Sequence, residues 1–196
     1  MEFLSLVDCS PDSTDITGLT ATAHAILNGH IECAEILVLN GAKLDIFDLS
    51  GKTPLHHAAA QNRNTSRHFL TLLIGAGASL DIQDATHGWS ALHWAMHLRH
   101  FSIMRILLKS GANPNLTDKH DRTPLMQGVL DHQEAAPCTS GIRLLLRNGA
   151  ELTQKDDDGC TATDLALLLD KQSLLAMLEE HGGHVAKWRD TRKRAT

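Results

Sequence analysis

Thr53-Pro54-Leu55-His56-His57-Ala58-Ala59-Ala60 and, 37 residues further on, Ser90-Ala91-Leu92-His93-Trp94-Ala95 are two versions of one phrase. Aligned on the leading Thr or Ser, three fainter copies run Thr20-Ala21-Thr22-Ala23, Thr123-Pro124-Leu125-Met126 and Thr161-Ala162-Thr163-Asp164. Each is followed by a Leu-rich stretch and then by a glycine, at Gly41-Ala42, Gly77-Ala78, Gly111-Ala112, Gly149-Ala150 and Gly182-Gly183. An aspartate comes a few residues later, at Asp48, Asp84, Asp118 and Asp156. One such tetrapeptide carries little weight. Five in phase define a repeat whose unit stacks on its neighbours to bury a continuous core.

The residue types explain the phrase. Thr or Ser before an apolar run caps a helix by accepting backbone N–H bonds, and Pro54 and Pro124 suit a first helical turn. Ala58, Ala59 and Ala95 keep the first helix of a pair thin, so that neighbouring layers approach closely. Ile106-Leu107-Leu108 and Leu144-Leu145-Leu146 supply the apolar side of the second helix, and the glycine after it accepts a left-handed C-cap. The period is 33 residues from Thr20 to Thr53 and from Ser90 to Thr123, but 37 from Thr53 to Ser90 and 38 from Thr123 to Thr161. The excess predicts longer helix connections around 62–66 and 131–139, with one further residue in the tip Asp84-Ala85-Thr86-His87-Gly88. Loops tolerate such insertions, which often shape a binding surface. Residues 3–15 line up with 106–118, Pro11 falling under Pro114, and read as the second helix and turn of a preceding unit: a half-repeat cap, or the sign of a chain cut from a longer protein.

Together these residues resemble the ankyrin repeat family, whose unit is a β-turn followed by two antiparallel helices with a Thr-Pro-Leu-His signature. The resemblance covers residues 3–186. It implies an all-α fold, an ankyrin-repeat solenoid of stacked helix-turn-helix units with β-turn tips. The half repeat lies at 3–15, repeats follow at about 16–48, 49–84, 85–118, 119–156 and 157–186, and a basic tail closes the chain at 187–196. His56 and His93 take the family's structural, hydrogen-bonding position. Asn115 stands where ankyrin proteins often carry an asparagine that a hydroxylase modifies.

The resemblance also implies a concave surface made by tips and inner helices, on which a partner protein or peptide binds. On this chain the tip candidates are Lys52, His87, Trp89, Lys119, His120 and Arg122. The candidates late in the inner helices are Gln61, His97, Leu98 and Asp131. Trp89, at a tip position that does not require burial, is expected to anchor a peptide whose acidic or polar groups reach Lys119 and Arg122. Trp94 is expected to pack between repeats. His87, His97 and His120 are positioned to make binding pH-sensitive near neutrality.

Catalytic chemistry finds no foothold. Gly51-Lys52-Thr53 imitates the end of a phosphate-binding loop, but Ile46 stands where the pattern needs its first glycine. His93 and His97 are four apart without a nearby acidic or Cys ligand, so the thirteen histidines suggest no metal site. Asp156-Asp157-Asp158-Gly159 lacks the alternating oxygens and distal Glu of a calcium loop. No cofactor is expected, and the protein is read as a non-enzyme: a scaffold, adaptor or inhibitor. Thr53–Asp118 also looks like the ankyrin segments of membrane palmitoyltransferases and suits ubiquitin-ligase substrate receptors. The alternative is therefore a substrate-recognition domain of a larger enzyme.

Charge and cysteines narrow the setting. The tail sets five basic residues against Asp190, a net +4 within a chain of −5, which leaves −9 for residues 1–186. An acidic body repels phosphate backbones and argues against nucleic acid as the partner. No apolar run reaches membrane-spanning length. Cys9, Cys33, Cys138 and Cys160 form no close-spaced pair and read as reduced thiols of a monomeric cytoplasmic or nuclear protein.

Overall fold

The computed structural model describes residues 10–61, 65–131 and 139–184. Residues 3–9 of the expected half repeat, parts of both long connections (62–64 and 132–138) and the basic tail lie outside the described residues. Among the described residues ten helices form, and the strand content is one isolated bridge between Thr14 and Thr20, so the all-α expectation holds. The helices divide between two compact units, with the boundary between Ala112 and Asn113.

The first unit holds α1 (Ala21–Asn28), α2 (Ile31–Leu39), α3 (Pro54–Ala60), α4 (Ser66–Gly75), α5 (Ala91–His97) and α6 (Phe101–Lys109). Here α1, α3 and α5 form one row, each packed on the next, and α2, α4 and α6 form a second row against it. The second unit holds α7 (Pro124–Leu130), α8 (Thr139–Arg147), α9 (Ala162–Leu168) and α10 (Gln172–Glu180), with α7 packed on α8 and α9, and α9 on α10. The repeat position of Leu55, Leu92 and Leu125 is buried each time, and Ala58, Ala59 and Ala95 are fully covered. Burying one such Leu contributes about 1.5–3 kcal/mol.

Local chemistry starts each inner helix as the sequence implies. Thr20, Thr123 and Thr161 accept the N–H three residues on, at 3.2, 3.3 and 3.2 Å. Asp164 returns the bond, accepting the Thr161 N–H at 3.0 Å. In α3 and α5 an imidazole takes the carboxylate's place in this capping box: Thr53 and Ser90 donate their N–H groups to Nδ1 of His56 and His93 at 3.1 and 3.2 Å. Inner helices end with orphan carbonyls, and the next pair satisfies them. Gln61 reaches Leu27 O at 3.2 Å, His100 reaches Ala59 O at 2.9 Å, and within the second unit Lys171 reaches Val129 O at 2.6 Å. The Lys171 charge also suits the negative end of α7.

The turns that precede the inner helices abut one another. In the first unit Leu49 N–H donates to Thr17 O and Ala85 N–H to Ser50 O, both at 3.0 Å. Such an approach needs glycine on the facing side: Gly51 has φ 74°, and a Cβ there would run into the Ala85 backbone nitrogen. At Gly18 an added Cβ would lie 2.8 Å from Leu49 N.

Candidate functional site

Each tip is organised by its aspartate. Asp48 Oδ1 accepts the N–H groups of Ser50 and Lys52 at 2.8 and 2.9 Å, and Asp15 treats Thr17 and Leu19 likewise at 2.8 and 3.0 Å. The other oxygen looks toward the inner helix nine residues on: Asp15 meets His24 at 2.8 Å, and Asp48 meets His57 at 2.9 Å. The third tip carries one residue more. Asp84 Oδ1 takes His87 and Gly88 N–H at 2.7 and 3.1 Å, and its second oxygen accepts the indole N–H of Trp94, ten residues on, at 2.7 Å. In all three repeats the partner is the fourth residue after the capping Thr or Ser, so the added tip residue lengthens the count from nine to ten without changing the helix position.

The structure departs from the expectation at one of the two tryptophans. The expectation that Trp89 stands at a position free of burial is corrected: only 8% of it is exposed. Its ring lies 4.7 Å from His87 in a stacked arrangement, edge-on to Trp94 at 4.9 Å and 5.0 Å from His97, while its carbonyl accepts the Nε2 proton of His56 at 3.0 Å. Once its carbonyl is bonded and its ring is enclosed by three others, the side chain is held inside the unit. Trp94 lies between repeats as expected, with the Lys52 ammonium of the preceding repeat 4.1 Å above its ring, and is partly exposed.

Around this pair, the His87 side chain is 46% exposed, His97 is partly exposed and Leu98 is 37% exposed. Gln61 is spent on the Leu27 carbonyl. Two apolar tip residues stand beside the named candidates: Leu49, one of the tip positions open to reading from the sequence, and Ile16, which that reading left out; each directly follows its tip aspartate, and they are 80% and 96% exposed. The Asp-to-His spacing of nine at Asp15 and His24 and at Asp48 and His57 is visible in the sequence and would have located the paired imidazoles.

The remaining candidates belong to the second unit. Lys119 and His120 are exposed, and His120 Nδ1 lies 3.1 Å from Asp157. Arg122 is partly buried with Nε 3.9 Å from Asp156, and Asp131 accepts a bond from Gln127 at 2.8 Å. Asp156, Asp157 and Asp158 bring ligand atoms within 4.8 Å of one another, and two of them already face the preceding tip, Asp157 at 3.1 Å from His120 Nδ1 and Asp156 at 3.9 Å from Arg122 Nε. Asn115 uses its amide on Gly149 O and Glu151 N–H, at 2.9 and 2.8 Å, and so ties its repeat to the next.

Burial and hydrogen bonding move several groups from their ordinary values. For Asp48 and Asp84, burial pushes the carboxyl up, but the hydrogen bonds they accept outweigh it and leave both lowered. Burial pushes His57 below 6.5 despite the pull of Asp48, and does the same to His56. A lowered histidine stays neutral when folded while the unfolded chain takes up a proton. Its contribution to stability is therefore present above about pH 6.5 and lost as pH falls through the folded value. The urea midpoint is expected to fall between about pH 7.5 and pH 5.5, less steeply in His57→Asn. A midpoint that rises on acidification would contradict the assignment.

Comparison with known proteins agrees with this architecture. A family model of ankyrin repeats in three copies matches residues 1–71 and 59–156. The chain is similar to the E3 ubiquitin-protein ligase KEG of Arabidopsis thaliana, 24% identical over 85% of this chain and 13% of the ligase. It is 38% identical to the B-cell lymphoma 3 protein homolog of Mus musculus over 56% of this chain and 24% of that protein. It is 32% identical to ankyrin repeat and SOCS box protein 3 of Homo sapiens, over 62% of this chain and 22% of the relative. The chain thus spans 13 to 24% of the length of these relatives. Most of its residues fall under that family model, and its helix pairs carry the repeat's own caps and turns: the chain belongs to the ankyrin repeat family.

Proposed function

We propose that this chain is a non-catalytic binding module, a scaffold, adaptor or inhibitor, that holds a partner protein or peptide on its tips and inner helices. Ankyrin repeats are protein-interaction modules, and the observation that carries the reading to this surface is the pair Ile16 and Leu49. Two branched apolar side chains stand almost wholly in water on consecutive tips whose backbones are tied together, while the core beneath is filled. A rigid, apolar, solvent-facing row is what a partner can cover at little cost in conformational entropy. The partner segment is taken to be acidic, the chain to act as a monomer, and the location to be cytoplasmic or nuclear.

A second reading draws on the relatives. Similarity to a ubiquitin-protein ligase and to a SOCS box protein, over a small part of each, supports a substrate-recognition domain within a larger enzyme. Both readings place recognition in the repeats and differ only in what is attached to them.

Cross-linked affinity capture with the full chain tests the proposal. Proteins captured by the wild type are expected to be lost from an Ile16→Asp, Leu49→Asp double variant whose circular dichroism matches the wild type. Capture that ignores the double substitution, or turnover of a small molecule by the purified chain, would refute it.

A further inference from the structure

In the first unit, the charged groups near Trp94 point to the chemistry of the ligand. Asp48 and Asp84 are turned inward: the Asp48 side chain is 10% exposed and shared among Ser50, Lys52 N–H and His57, and Asp84 is 3% exposed and bound to tip N–H groups and the Trp94 indole. Asp15 is paired with His24. Lys52 is different. Among the described residues no carboxylate lies within ion-pair distance of its ammonium, which rests on the Trp94 ring instead. The ring fixes the position of a long side chain that otherwise loses rotamer freedom on binding, and it leaves the charge uncompensated. His87, 46% exposed, stacks beside the same aromatic group.

We propose that the first three tips hold an extended peptide segment in which apolar side chains cover Ile16 and Leu49 and a carboxylate meets Lys52 where Trp94 presents it. This rests on the interaction reading above and specifies its ligand. Consecutive tips are one helix-packing distance apart, about 10 Å. An extended chain advances about 3.3 Å per residue. The segment therefore carries apolar residues about three apart, with Asp or Glu about three further along. The body of the chain is acidic, so an acidic ligand is repelled elsewhere and its register is set by Lys52.

A random peptide library displayed on phage, selected against the full chain, tests this without a known partner, with affinities of the selected peptides read by fluorescence anisotropy. Selected peptides are expected to be enriched in Asp or Glu beside Leu, Ile or Val, and to weaken at high salt. Lys52→Glu is expected to lower their affinity about tenfold and Lys52→Gln about threefold, with circular dichroism and urea midpoint confirming both folds. Replacing the peptide's acid by Lys is expected to restore part of the binding to Lys52→Glu. Ligands that are basic or neutral, or that bind Lys52→Glu as well as wild type yet are lost on Leu49→Asp, overturn the acidic ligand and leave the tip surface standing. Ligands indifferent to Lys52→Glu, Leu49→Asp and Ile16→Asp alike overturn both.

Discussion

Replacing His56 by alanine is expected to lower the free energy of unfolding by about 3 kcal/mol. The imidazole is 1% exposed and uses both nitrogens. Nδ1 accepts the Thr53 N–H at 3.1 Å, which leaves the proton of the neutral ring on Nε2, where it is donated to Trp89 O at 3.0 Å. Alanine removes a buried ring and strands a donor in one repeat and an acceptor in the next, and each unsatisfied buried group costs about 1–3 kcal/mol. The exposed His68, paired with Glu35 at 2.8 Å, is the comparison: His68→Ala should cost less than about 1 kcal/mol. Urea denaturation at pH 7.5 measures both. A loss below about 1 kcal/mol for His56→Ala would mean that the link between repeats carries little of the stability.

The second large effect is expected at Asp84. Its carboxylate accepts the His87 and Gly88 N–H groups and the Trp94 indole N–H, at 2.7, 3.1 and 2.7 Å. Bonds to an ionised acceptor contribute about 1.5–3 kcal/mol each, and because the three share one group their loss is not additive; Asp84→Ala should cost about 3–4 kcal/mol. The tip would lose its shape and Trp94 its orientation, so tryptophan emission should shift to longer wavelength. Asp84→Asn separates the two effects. Its carbonyl can still accept the tip N–H groups, but its amide would face the Trp94 indole donor against donor, so stability falls less while the spectral shift persists. An unchanged spectrum in Asp84→Ala would show that Trp94 does not depend on this carboxylate, and with it would go the fixed seat of Lys52.

The parts of this protein that could be read in advance are those set by residues close in the chain. Thr53 caps α3 because its own helix supplies the partner three residues on, and Gly51 is required by the φ of its own turn. The paired imidazoles His24 and His57 were equally local, at nine residues from their aspartates, while the same helix position carries Trp94 in the third repeat. The candidate surface was harder. Lys52 lies among the expected residues, but its seat on Trp94 joins side chains 42 positions apart in adjacent repeats, and no local pattern encodes it.

By itself, the sequence determined the period, the helix pairs, their caps and the tip aspartates, since each follows from hydrogen bonds and apolar spacing within one repeat. Only the tertiary structure decided which tryptophan is enclosed and which meets solvent. With one additional residue in the third tip, the helix position facing the tip aspartate stays four residues after the cap, at His24, His57 and Trp94; in the third repeat that position carries an indole, and rings from tip and helix close over Trp89. Side-chain exposure depends on what the neighbouring elements place against it, and that is a property of packing rather than of the residue.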